Sequence, residues 1–165
     1  MHFSALLFLL GAVLILQTTI LEYIALYGVK PDLVMLLVIF NGFLLGPREG
    51  AFLGFAGGML EDLFSGSYIG LNALSNMVAG YFAGACGERF YKENTLVVSG
   101  VAFVSTAVGL SVNYLLLLYL NIHVPLFHAL LRVVVPTALY TALLVPFLFK
   151  RVISFLKTRD RDQLN

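Results

Sequence analysis

A chain of 165 residues with 60% apolar content, a mean hydropathy of +0.94 and 12% charged residues carries about half the charge of an ordinary globular domain. That much apolar surface needs lipid to cover it, and the short polar stretches between the apolar runs are too small for a soluble catalytic domain. The formal net charge is only +1, and the bases gather near the ends of apolar runs and in the carboxyl-terminal segment, which argues for membrane orientation and against nucleic-acid binding.

Crossing a hydrocarbon core takes about 20 helical residues. The first apolar run, Phe3 to Leu21, meets that length and reads as a retained helix, because only His2 precedes it and no small-residue cleavage site follows. The stretch from Pro31 to Phe64 is divided by Gly46, Pro47, Arg48, Glu49 and Gly50. Its first half, Leu33 to Leu45, makes only about 20 Å of helix at 1.5 Å per residue. Its second half, Ala51 to Leu60, is shorter before Glu61 and Asp62 intervene. Two short helices joined at Pro47 are preferred over one broken helix, which would strand Arg48 and Glu49 at the membrane centre. Further helices are expected near residues 71–87, 95–120 and 131–149, the last containing Pro136 and Pro146 and starting close to Arg132.

The expected fold is therefore an all-α polytopic membrane protein with six transmembrane helices, near 3–21, 32–46, 50–64, 71–87, 95–120 and 131–149. A cytoplasmic basic tail would occupy 150–165. With both termini cytoplasmic, Arg48, Arg89, Lys92, Lys150, Arg151, Lys157, Arg159 and Arg161 fall inside, and only Lys30 and Arg132 fall outside. That asymmetry obeys the positive-inside rule and places Arg48 on the correct side. The external loops would then lie at 22–32, 61–70 and 121–130, and the cytoplasmic ones at 46–50 and 87–94.

Gly46, Gly50, Gly54 and Gly58 recur every fourth residue and give the third helix a bare stripe that another helix can approach closely. Gly80 and Gly84, in line with Asn76, form a matching face on the fourth helix. The stripe serves either the chain's own core or a seam for a partner's helix. Asp62, Gly66, Gly70, Asn72 and Asn76 form a second group. Asp62 is suited to accept local backbone hydrogen bonds, and the two glycines to adopt backbone conformations other residues avoid. Glu61 and Asp62 are expected to open the external loop, and their consecutive side chains diverge, a poor start for paired-carboxylate catalysis. His123 and His128 have no neighbouring acid or thiol to complete a zinc set, and Cys86 is a lone cysteine. No Walker A, HExxH or GxSxG pattern is present, and no cofactor, metal or catalytic residue is expected.

The ordered series Pro31, Asp32, then Gly46, Pro47, Arg48, Glu49, Gly50, Gly54, Gly58 and Asp62 resembles the bacterial rod shape-determining MreD family. Ser65, Gly66, Gly70, Leu71, Asn72, Ala73, Gly80, Tyr81, Gly84, Arg89, Phe90, Tyr91, Glu93 and Asn94 continue it. The resemblance implies a noncatalytic scaffold in the bacterial cytoplasmic membrane that supports rod shape and lateral peptidoglycan synthesis. It implies a bitopic MreC-like partner, with links to MreB, the elongation transpeptidase and its SEDS glycosyltransferase. It also implies a fold similar to the substrate-binding component of energy-coupling-factor transporters. The rival reading is a substrate-binding subunit for a vitamin-like molecule, with Asn72, Asn76 and Asn113 lining a cavity.

Overall fold

The computed structural model describes residues 3–19, 31–66, 68–90 and 94–162, with side chains described over 10–17, 19, 31–66, 68–90 and 94–149. The connection at 22–30 with Lys30, the residues Tyr91, Lys92 and Glu93, and the side chains of the 150–165 tail lie outside the described residues. The described chain is all helical: α1 (Phe3–Thr19), α2 (Leu33–Leu45), α3 (Pro47–Ser65), α4 (Leu71–Gly87) and α5 (Thr95–Tyr119) are followed by α6 (Leu126–Ala129). A π-helical turn (Leu130–Val134) and α7 (Val135–Asp162) continue α6 without a break, making six helical rods. Two of them, Thr95–Tyr119 and the stretch Leu126–Phe149, are long and apolar enough to cross a membrane.

The break between α2 and α3 shrinks to one residue. Gly46 adopts φ 124°, a conformation that suits glycine, and Pro47 starts α3 at the position where its missing N–H costs nothing. Gly50 N–H already bonds to Gly46 O at 3.0 Å, so Arg48, Glu49 and Gly50 belong to the helix rather than to a turn. With Ser65 as its last residue, α3 has 19 residues, about 28 Å at helical rise, and is longer than the expected 50–64. A second correction concerns Glu61 and Asp62: instead of opening a loop they are buried in the last turns of α3. The final helix also starts earlier than expected, at Leu126, and the expected loop at 121–130 contracts accordingly. At the other end α7 continues through residues expected in the tail, as far as Asp162.

The short α2 is the central rod. It is apolar on nearly every face, with Val34, Met35, Leu36, Val38, Ile39, Phe40 and Phe43 all buried, the pattern of a helix surrounded by other helices. Met35, Ile39, Phe40 and Phe43 pack with Ala79 and Ala83 of α4, Val98 and Ala102 of α5, and Val145 and Phe149 of α7. The Phe40 and Phe149 rings lie 5.4 Å apart at 49°, a tilted aromatic contact. On its opposite side α2 packs Val34 and Val38 against Leu10 and Leu14 of α1 and Leu53 of α3.

Candidate functional site

The third and fourth helices pack backbone to backbone because their small residues share one spacing. Going up α4 in steps of four, Asn72, Asn76, Gly80 and Gly84 meet Gly58, Gly54, Gly50 and the Gly46–Pro47 pair going down α3. This is the meeting of two i±4 ridges in antiparallel helices. A Cβ on Gly58 would strike Asn72 O, and one on Gly54 would strike Asn76 O. Gly42 of α2 joins the same seam, since a Cβ on Gly50 would strike Gly80 O and lie 2.6 Å from Gly42 Cα. Gly57 points elsewhere, toward Leu10 and Val34, and Gly109 of α5 sits against Ala79, Met35 and Ser75. The structure thus brings Gly46, Gly50, Gly54, Gly58, Gly80 and Gly84 together inside the chain, with α4 covering the α3 stripe.

Polar residues gather at the end of this seam where α3 passes into α4. The first residues of α4 have free N–H groups, and the residue at its N-cap, Gly70, has no side chain to bond them. Asp62 supplies the acceptor from the preceding helix. Its Oδ2 accepts from Gly70 N at 2.7 Å and Ala73 N at 3.2 Å, and its Oδ1 accepts from Asn72 N at 3.1 Å. The loop can return on itself this tightly because Gly66 and Gly70 take φ values of 63° and 106°. Asp62, Gly66, Gly70 and Asn72 are therefore parts of one capped turn.

Glu61 faces the other way and joins three helices. Asn76 Nδ2 of α4 donates to its Oε2 at 2.7 Å, and Gln17 Nε2 of α1 donates to its Oε1 at 3.0 Å. The carbonyl of the same Gln17 amide accepts from Leu33 N at 3.0 Å and Val34 N at 3.2 Å, satisfying two free donors at the start of α2. Asp32 caps that helix beside it, accepting from Met35 N at 2.8 Å. Asn113 of α5 extends the polar cluster by donating to Asn72 Oδ1 at 3.3 Å. Five helices thus meet through side-chain amides and carboxylates at one end of the bundle.

The three carboxylates have different surroundings. The Asp32 carboxylate lies at the start of α2 and that of Asp62, reaching across from the end of α3, at the start of α4, where backbone N–H groups and the positive end of the helix dipole favour an anion. Glu61 sits in the last turns of its own helix, the unfavourable end of the dipole, and its two side-chain partners are neutral amides. Beside it Asn76 Oδ1 is buried with no hydrogen-bond partner.

Sequence reasoning found Asp62 and the two asparagines but missed Gln17 and the bridging role of Glu61. Gln17 is the only amide side chain in an apolar helix whose other polar residues are Ser4, Thr18 and Thr19, and its partner Glu61 is 44 residues away in sequence. The sole cue was that an amide in a membrane-length apolar run needs a buried partner. His123, His128 and Arg132 are exposed at the same end of the bundle and are not part of the polar cluster. Among the described residues, no group of three His, Cys, Asp or Glu side chains is arranged to hold a metal ion. Cys86 is a free, partly buried thiol on α4.

A family model described as rod shape-determining protein MreD matches residues 1–159. No curated protein and no solved structure matches the chain. The family match runs through both glycine faces, the Asp62 turn and the paired apolar helices α5 and α7. The chain belongs to the MreD family of rod shape-determining proteins, noncatalytic membrane-associated scaffolds of bacterial cell shape.

Proposed function

We propose that this protein crosses the cytoplasmic membrane six times with both termini inside, and that it holds an MreC-like bitopic partner through the outer face of α3. The charge asymmetry supports the topology, since Arg48 and Arg89 lie at the end opposite the Asp62 turn. The length of α3, 19 residues, supports a crossing on its own. α2 is too short to span alone but is wrapped by α1, α3, α4, α5 and α7, so lipid need not cover its length. Replacing Cys86 with serine and introducing a single cysteine at Arg48 or Asn121 tests the orientation. A membrane-impermeant maleimide applied to intact spheroplasts is expected to label Asn121→Cys and to spare Arg48→Cys, and the reverse pattern would sink the topology.

The observation that carries the docking proposal is how α3 divides its two sides. Its glycine side is filled by α4, whereas Phe52, Phe55, Leu63 and Phe64 project outward, Phe64 with 70% of its surface exposed. Three aromatic rings and a leucine on one rigid, backbone-packed helix offer large contact area at little entropic cost, a suitable bed for a single apolar partner helix. The partner would then carry the connection to the elongation transpeptidase, its SEDS glycosyltransferase and MreB. Photocrosslinking residues placed at Phe52, Phe55 and Phe64, with Leu139, Leu143 and Phe147 of α7 for comparison, test the assignment in native membranes. Crosslinks to the MreC-like protein are expected from the α3 positions. Crosslinks from α7 alone, or from neither face, would remove α3 as the docking helix.

A further inference from the structure

The last helix changes its winding near its loop end. In the turn Leu130–Val134, Val135 N–H bonds to Leu130 O, five residues back rather than four. Pro136 explains the change: it has no N–H for Arg132 O, and its ring crowds that carbonyl, so a wider turn relieves both problems. The wider turn also alters which side chains align. Residues four apart on an α-helix are offset by about 40° around the axis, and π winding takes up part of that offset between His128 and Arg132. The two basic side chains are brought toward one line, both exposed and one turn apart.

The surface around them is apolar. Leu126, Phe127, Leu130, Leu131 and Val133 are all exposed on this segment, Phe127 with 77% of its surface open. Arg132 is the only described Lys, Arg, Asp or Glu in the membrane-length stretch Leu126–Phe149, and it has no carboxylate partner among the described residues. The acids at the same end are turned inward: Asp32 and Asp62 cap helices, and Glu61 bonds to Gln17 and Asn76. A guanidinium on a lipid-facing helix is stable only if its stem lies along the acyl region and its head reaches the polar boundary. What lies there in abundance is phosphate, which an arginine can bond with two parallel N–H groups.

We infer that His128 and Arg132 form a binding site for the phosphate of an anionic phospholipid headgroup. Arg132 forks onto the phosphate, His128 donates a ring N–H from one turn nearer the helix end, and the exposed Val135 and Leu139, one and two turns deeper along the helix, lie along the acyl chains. The site depends on charge complementarity and on the π turn that aligns the two bases, and it is independent of which helix docks a protein partner.

Native mass spectrometry of the purified full chain tests the site, using phosphatidylglycerol and phosphatidylcholine added in equal amounts. The unmodified chain is expected to retain phosphatidylglycerol preferentially. Arg132→Gln should lower that retention about fivefold, the weight of one near-surface base, and His128→Gln should lower it less. Arg48→Gln, which removes an exposed base at the opposite end, should leave it unchanged. Equal retention by Arg132→Gln and the unmodified chain, or an equal fall in Arg48→Gln, would overturn the inference. Displacement of the lipid by millimolar inorganic phosphate would assign the site to a free anion and overturn it as well. All three side chains are exposed, and coincident thermal unfolding of the variants checks that lipid loss is not loss of fold.

Discussion

Gly54→Ala is expected to destabilise the protein by about 3 kcal/mol, the upper part of the range for overpacking, and Gly54→Leu to abolish folding. The added Cβ would strike the carbonyl of Asn76 and stand 2.8 Å from Met77 Cα, and both obstacles are backbone. A side chain could rotate away, but a helix axis must move as a body. Separating α3 from α4 would also pull Asn76 from Glu61, whose bond at 2.7 Å spans the same two helices. Gly100→Ala is the matched comparison, because no atom lies within 4 Å of where its Cβ would go. That variant should unfold within about 0.5 kcal/mol of the unmodified chain, as substitutions away from contacts usually do. Thermal or denaturant unfolding in detergent micelles reads the difference, and equal behaviour of the two alanine variants would refute the backbone-contact seam.

Asp62→Ala is expected to cost about 3 kcal/mol or more, since hydrogen bonds to a charged acceptor contribute about 1.5–3 kcal/mol each and are not additive. Three N–H groups at the start of α4 would lose their acceptor together. Gly70 cannot replace it, having no side chain. Asp62→Asn should recover part of the loss, because the amide oxygen accepts one or two of the three donors while its NH2 faces the remainder. The turn at residues 66–70 should also become a protease site in Asp62→Ala before the helices unfold. Unfolding of Asp62→Ala at the temperature of the unmodified chain, with the turn still protected, would show that the cap is unimportant.

The glycine seam was legible because its spacing repeats: residues four apart lie on one helical face, so Gly50, Gly54 and Gly58 pointed to one stripe and Asn76, Gly80 and Gly84 to another. That the two stripes meet each other was not legible, since spacing describes one helix at a time. The Asp62 turn was readable from the acid and the two glycines that follow it, because each residue type has a local backbone use. Glu61 was misread for a related reason. An acid at the end of an apolar run ordinarily marks the exit to water, and only the distant Gln17 amide, with Asn76, makes burial tolerable. The π turn left no mark beyond Pro136, because a proline near a helix start is as compatible with an ordinary first turn as with a widened one.

If the chain crosses the membrane as proposed, the single residue between α2 and α3 governs how it enters the bilayer. Helices joined by a long loop can be threaded one after the other, each released sideways before the next arrives. Gly46 gives α2 and α3 no such slack, since Gly46 N–H still bonds to Gly42 O at 2.8 Å while its own carbonyl already accepts from Gly50 N at 3.0 Å. With 13 residues, α2 is too short to be held across the membrane without its neighbour. In the proposed topology the two helices would therefore insert as one hairpin, with Gly42 and Gly50 already facing each other when α4 arrives to close over them.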